Sequence, residues 1–384
     1  MKPIVLSSIR KQNLRKVLDL LTLAPAMTRQ ELAEASGLSQ MTVTNLVELL
    51  KKQGVLHQTV VPRDENSRHP QGRRARAISL SGDQKTWLIV DISSRQFSMT
   101  LIGFDVEILM EIHDNQQGEY LQRLESFLRE GGIRMLNALS DRKLLGVAII
   151  TPGPYEISSD TVNNQRLPQL NQVRIKELFR RCLGHYEYYV DEDVKFAVRS
   201  FSDPVVLNQC EVLYYLYIGE GVGGAAVHRG NMLRGLNATA GDAGRLIDRQ
   251  GNIYENRLNT EAFLHLLDIP VSLPPEELQE TLRRVATQQP LQYASALELM
   301  ASVTAEMLHS VLWILDPTHI VIDCVYAQPD GKSFVQMVKK HLAKLFQGEP
   351  RILPHLFPCP PGVSSVLRGA VRVLQSAWLD RILM

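Results

Sequence analysis

Apolar residues recur at Leu14, Val17, Leu18 and Leu21, the i, i+3, i+4, i+7 stripe of a helical face that stops near Pro25. The segment MTRQELAEASGLSQMTVTNLVELLKKQGVL then holds two shorter helical patterns. Thr28 and Glu31 have capping-box spacing, Ser36-Gly37 interrupts the first pattern, and Ser39 stands where it can cap the second. Val43, Leu46, Val47 and Leu50 give the second helix one apolar face, which leaves Met41 and Asn45 pointing away from the core. After Gly54, VLHQTVV reads as a strand, RDENSRHPQGRR as a polar tip, and ARAISLS as a returning strand. Further on, strand patterns (WLIVDISSRQFSMTLIGFD, LLGVAIITPGP, EYYVDED, VLYYLYIG, THIVIDC) alternate with helical ones. The helical stretches include RIKELFRRCLG, EAFLHLL, ALELMASVTAEMLHSVLWIL and SSVLRGAVRVLQSAWL. Such alternation predicts an α/β body.

The opening pattern has the chemistry of a winged helix-turn-helix. Ala33 supplies a small residue where two helices touch, Gly37 a turn position tolerant of positive φ, and Val43 a buried β-branched anchor. In that arrangement Gln40, Met41, Thr42, Thr44 and Asn45 are the candidates to read base edges, and Arg73, Arg74 and Arg76 at the wing would meet phosphates or enter a minor groove. Charge supports this reading. The whole chain is near neutral, with 42 Lys and Arg and 41 Asp and Glu, yet residues 1–81 hold 13 of the basic and 6 of the acidic residues. A basic head on an acidic body is the electrostatic footprint expected for a phosphate backbone.

The four cysteines, Cys182, Cys210, Cys324 and Cys359, match no metal spacing and no disulfide framework. No apolar run approaches the roughly 18 residues that span a bilayer, and no basic-then-apolar leader opens the chain. The expectation is a cytoplasmic protein without a membrane partner.

The order of parts resembles the ROK family (repressors, open reading frames, kinases) over nearly the whole chain. The helix-turn-helix, the TPGP loop at 151–154, and GEGVGGAAVHRG at 219–230 followed by RGLNATAGDAG at 234–244 carry the likeness. It implies an actin-like (ribonuclease H-like) two-lobed body, 83–384, descended from sugar kinases, behind a DNA-binding domain at 1–82. In the family's repressors that body senses a sugar or a partner protein and assembles into dimers or higher forms.

The same resemblance exposes departures. The family's first phosphate loop is an Asp-x-Gly-Gly-Thr-like turn; Asp91-Ile92-Ser93-Ser94-Arg95 puts Cβ atoms where backbone should approach ATP. A late glycine run becomes Cys324-Val325-Tyr326. Phosphoryl transfer works by positioning and charge stabilisation, so ATP chemistry is not expected. The surviving loop at 219–224 is expected to serve the close packing of a strand against the following hairpin. In the family's kinases an Asn-Asp pair supplies the base for a sugar hydroxyl. Asp193 matches the Asp as a vestigial base, Glu192 replaces the Asn, and Asn164 stands where an Asn holds a sugar hydroxyl. Asp242 and Arg245 replace the Glu and His of an Ala-Gly-Glu-x-Gly-His motif. Arg245 points to an anionic ligand such as a sugar phosphate or sugar acid, or else pairs with Asp242 or Asp248. The family's zinc segment is matched by DRQGNIYENRLNTE, which has no cysteine, so neither a metal nor another cofactor is expected.

These readings converge on a transcriptional regulator, a repressor of carbohydrate-related genes, whose catalytically inactive body senses a sugar derivative. As a homodimer or tetramer it would read a roughly palindromic site. Two alternatives stand beside it: a sugar kinase with a DNA-binding appendage, and a regulator whose body docks a protein.

Overall fold

The computed structural model describes residues 2–24, 26–60, 76–93, 96–114, 117–165, 167–201, 210–271, 275–349, 352–360 and 364–383. The head runs α1 (Lys2–Leu23), β1 (Met27–Thr28), α2 (Arg29–Ser36), α3 (Gln40–Lys52), β2 (Leu56–Val60) and β3 (Arg76–Leu80). α2 starts where the sequence says it should. The Glu31 amide donates to the Thr28 hydroxyl at 3.2 Å, and the Thr28 amide donates to the Glu31 carboxylate at 2.7 Å. Gly37 closes that helix at φ 68°, and the Ser39 hydroxyl caps α3. Leu14, Val17 and Leu18 of α1 and Val43, Leu46, Val47 and Leu50 of α3 are buried, with Ile78 of β3. β1, β3 and β2 form a small antiparallel sheet in that order.

Two larger sheets follow. The first uses β4 (Lys85–Asp91), β5 (Ser98–Gly103), β6 (Ile108–His113), β7 (Lys143–Thr151) and β10 (Tyr188–Glu192) in the order β10-β7-β4-β5-β6. β5 runs antiparallel to its neighbours, while β4, β7 and β10 are parallel. Helices α4 (Tyr120–Ala138), α5 (Ile175–Leu183) and α6 (Asp193–Ser200) accompany it, with a small hairpin of β8 (Tyr155–Glu156) and β9 (Thr161–Val162).

The second sheet has β11 (Val212–Ile218), β12 (Val222–His228), β13 (Asn231–Met232), β14 (His319–Cys324) and β15 (His355–Pro358) in the order β13-β12-β11-β14-β15. Again the second strand is antiparallel and the last two are parallel to the first. Counted in chain order, both sheets therefore read 3-2-1-4-5. That repeated arrangement is the ribonuclease H-like plan of actin-like folds. Its helices are α7 (Tyr254–Leu258), α8 (Thr260–Leu266), α9 (Pro275–Gln288), α10 (Pro290–Leu315) and α11 (Gly331–Leu345), and α12 (Ser365–Leu383) closes the described chain.

The chain divides into two compact units. One contains the head, the first sheet and residues 367–383 of α12; the other contains the second sheet with its helices. The 26-residue α10 is long and apolar enough in composition to cross a membrane, although polar residues interrupt its apolar run. Its Met300, Ala301, Met307, Leu308 and Leu312 pack into the core of the second unit, so its apolarity has a partner within the fold.

Candidate functional site

α3 carries the candidate nucleic-acid face. With Val43, Leu46, Val47 and Leu50 buried, Gln40, Met41, Thr44 and Asn45 are left exposed, Met41 at 78%. Thr42 is placed differently. It is only partly exposed, its amide donates to the Ser39 hydroxyl at 3.2 Å, and its own hydroxyl lies 2.8 Å from that oxygen. Thr42 is thus tied to the Ser39 cap, and Gln40, Thr44 and Asn45, with apolar Met41 among them, form the exposed face. Arg76 is exposed at the first position of β3, opposite Val60; Arg73 and Arg74 lie outside the described residues. Two features escaped the sequence reading. Lys51 and Lys52 are exposed in the last turn of α3, where they can meet phosphates. Arg29 of α2 pairs with Glu48 of α3 at 2.8 Å, a half-exposed bridge between the two helices.

In the first unit, three members of the expected ligand set, Asn164, Glu192 and Asp193, come from loops and strand ends around the TPGP turn. Asn164 donates through Nδ2 to the Gly153 carbonyl, accepts the Leu167 amide at 3.0 Å, and its own amide donates to Asn171 Oδ1 at 2.8 Å. Its side chain holds the loop together. Glu192 is buried; it accepts the Tyr155 amide at 2.9 Å and a short bond from the Lys195 ammonium. Lys195 is 1% exposed, so the pair is almost wholly removed from water. Burial lifts the Glu192 carboxyl above its ordinary range, and the ammonium and amide oppose that lift. Beside it, buried Asp191 accepts Arg199 at 2.7 Å. Asp193 opens α6, half-buried, with its carboxylate accepting the Val194 amide at 2.7 Å.

At the start of the segment expected to match a phosphate loop, Asp91 bonds its own neighbour. Asp91 Oδ1 accepts both the amide and the hydroxyl of Ser93, at 2.8 and 2.6 Å. Ser94 and Arg95 lie outside the described residues.

In the second unit the glycine-rich loop is the tight end of the β11–β12 hairpin, where Ile218 pairs with Val222. A Cβ on Gly224 would sit 2.1 Å from the Tyr214 hydroxyl and 2.4 Å from the Gly241 carbonyl. A Cβ on Gly244 would sit 2.0 Å from the Val222 carbonyl. Close backbone approach therefore accounts for these glycines. Tyr326 fills the interior behind β14: it is fully buried, stacks on Phe263 at 4.2 Å, and donates to the Leu258 carbonyl at 3.0 Å.

Asp242 is half-buried and Arg245 is exposed. The expected pairing of Arg245 with Asp242 or Asp248 gives way to a long contact with Glu255, Nε to Oε2 at 3.9 Å. Asp248 is engaged elsewhere. It accepts the Gln250 and Asn252 amides, each at 2.8 Å, the Asn252 side chain at 3.1 Å, and Arg257 at 2.9 Å. Desolvation raises its carboxyl, and these donors more than offset the rise, leaving it below the ordinary range. One carboxylate thus organises the loop that carries zinc ligands in the family's metal-bearing members.

Two outcomes follow. Lys195→Met should lower stability by about 3 kcal/mol in urea denaturation, because Glu192 is left buried without its cation, and the added change Glu192→Leu should recover most of the loss. Gly244→Ala should cost about 1–3 kcal/mol in the same measurement, through overpacking against Val222. An unchanged midpoint for either single variant would contradict the packing described.

A family model described as ROK family matches residues 88–375, and one described as winged helix-turn-helix DNA-binding matches residues 10–56. The uncharacterized protein y4fQ of Sinorhizobium fredii (strain NBRC 101917 / NGR234) is 25% identical over 238 residues. That match covers 59% of this chain and 58% of the relative, so the chain spans less than two thirds of that protein's length. Among solved structures, a ROK family transcriptional regulator, a homologue of the E. coli Mlc protein, superposes with a TM-score of 0.65 at 17% identity, covering 98% of both chains. A ROK family protein from Streptococcus pneumoniae TIGR4 in complex with sucrose gives 0.60 at 18% identity, over 77% of this chain and 99% of that one. A ROK family glucokinase from Streptomyces griseus in complex with glucose and AMPPNP gives 0.61 at 15% identity, over 75% and 98%. The chain belongs to the ROK family and carries a winged helix-turn-helix DNA-binding domain ahead of its ROK body.

Proposed function

We propose that this protein is a cytoplasmic transcriptional repressor of carbohydrate-related genes. Residues 1–82 read a roughly palindromic operator in a homodimer or tetramer, and residues 83–384 serve as a regulatory body without catalysis. The observation that carries the reading is the exposed face of α3, where polar Gln40, Thr44 and Asn45 flank an exposed Met41 and a buried apolar stripe backs them. Gln40, Met41, Thr44 and Asn45 contact base edges, while Arg76, with Arg73 and Arg74, meets the backbone. The body acts by binding an effector more tightly in one arrangement of the heads than in another.

The absence of kinase chemistry is supported by three features already described: the Asp91–Ser93 bonds at the start of the first loop, the packing role of Gly224 and Gly244, and Tyr326 in the core. A sugar-class effector is supported by the sucrose and glucose bound to the structural neighbours. Exposed Arg245 favours an anionic member of that class, such as a sugar phosphate or sugar acid. The Glu192–Lys195 pair favours the second reading, a body that docks a protein, since it already satisfies polar groups a sugar would otherwise meet.

Selection of duplexes from a random-sequence library by the full chain tests the reading, with a two-fold symmetric site as the expected product. Asn45→Ala should weaken that site by about 1–3 kcal/mol and leave binding to scrambled DNA nearly unchanged. Calorimetric titration with Mg-ATP should show no binding. Enrichment of no sequence, or saturable Mg-ATP binding with sugar phosphorylation, would favour the kinase alternative.

A further inference from the structure

Within the first unit the head is joined to its neighbours at two places. One is the connection from β3 to β4. The Ser81 amide donates to the Val55 carbonyl at 3.0 Å, the Gly82 amide to Asp105 at 3.1 Å, and the Lys85 ammonium makes a short bond to the Gln53 carbonyl. A segment bonded this closely on both sides is not a free linker.

The other place is α1 against α12. Arg372 donates to Asp19 at 2.7 Å, a partner 353 residues away in the chain. The two side chains are 15% and 8% exposed. Arg15 of α1 donates to the Arg372 carbonyl at 2.8 Å. Gln375, one turn further on, is buried and donates to the Phe104 carbonyl at 3.3 Å, and Trp378 packs edge-on to Phe104 at 5.0 Å. Burial also pushes the Arg15 guanidinium down to about 10, against the pull of Asp19. The outer pair, Lys11 with Asp380, is half-exposed and adds little.

One attachment would leave the head free to swing; two, separated along it, fix its orientation. We propose that Arg372 on α12 is a positioning residue for DNA recognition: through Asp19 it holds α1, and with it α3, at a set angle to the first sheet, to which Gln375 and Trp378 anchor α12. The consequence is specific to two-headed binding. A head that has lost its angle still reads a single half-site, but two such heads no longer match a fixed spacing, so the advantage of simultaneous engagement falls.

The proposal rests on the DNA-reading assignment above, and the test separates the two. The wild-type chain, Arg372→Met and Arg372→Lys would be measured by fluorescence anisotropy on the symmetric duplex selected by the wild type and on a duplex carrying one half of it. Arg372→Met is expected to weaken the full site by about tenfold or more and the half-site by less than about twofold, with Arg372→Lys nearer the wild type. Equal loss on both duplexes, or no loss on the full site, would overturn the proposal. Hydrogen exchange gives a reading that needs no DNA. In Arg372→Met, amides of residues 14–21 should exchange faster while those of 43–50 keep their protection. Should the wild type select no sequence, the DNA-reading assignment fails, and unchanged protection of residues 14–21 would then overturn the positioning role separately.

Discussion

The Glu192–Lys195 pair sets the terms for the body of this protein. A carboxylate taken out of water must find its partners inside the fold, and Glu192 finds two, the Lys195 ammonium and the Tyr155 amide. Those bonds tie the end of β10 to the turn at Gly153, and Asn164 ties the following loop to the same turn. Polar groups that could have faced a ligand are thereby joined to each other. The same economy of carboxylates recurs elsewhere. Asp248 gathers four donors to hold its loop, Asp91 closes the turn at Ser93, and Asp19 fastens the head to α12. Each segment keeps a defined shape through side chains of this chain alone.

Beside these polar hubs, two glycines of the second unit belong to packing. Gly224 and Gly244 sit where the backbones of a hairpin and the following loop come too close for a methyl group. Tyr326, stacked on Phe263, makes the region behind β14 solid core. A ROK fold can retain its sheets under these changes because its stability comes from buried strands and helices. The winged helix needs little from the body except a fixed place to stand, which the β3–β4 connection and α12 supply.

Much of the fold was legible in the sequence. The stripe at Val43, Leu46, Val47 and Leu50 and the Thr28–Glu31 box are local signals, and both elements form as their spacing indicates. β4, β5, β7, β11 and β14 announce themselves as apolar runs because they are buried over most of their length, whereas the outer strands β13 and β15, of mixed exposure, do not. β6 lies at a sheet edge with the same mixed exposure and gave no such run either. α4 was obscured by Gly131-Gly132, which reads as a break but lies where a Cβ on Gly131 would meet Ile112 and Met99. The candidate site was legible only as a set of residue types. Position 192 could be singled out from the sequence, yet its partner could not, because a lysine three residues on is usually solvated. The pairing of Asp19 with Arg372 leaves no local signal at all. Arg245 was expected beside Asp242 or Asp248, and the turn that carries it sets it near Glu255 instead.

The central claim is that the head reads DNA sequence while the body neither needs nor uses ATP. The most direct measurement is fluorescence anisotropy of the full chain on DNA from upstream of its own gene. Scrambled DNA serves as control at two salt concentrations, with and without Mg-ATP and a panel of sugars, sugar phosphates and sugar acids. The expected result is tight, sequence-dependent binding that survives the higher salt, ignores Mg-ATP, and weakens with one member of the panel. Equal, salt-labile binding to both DNAs would contradict the account, since only non-specific attraction to phosphates would remain.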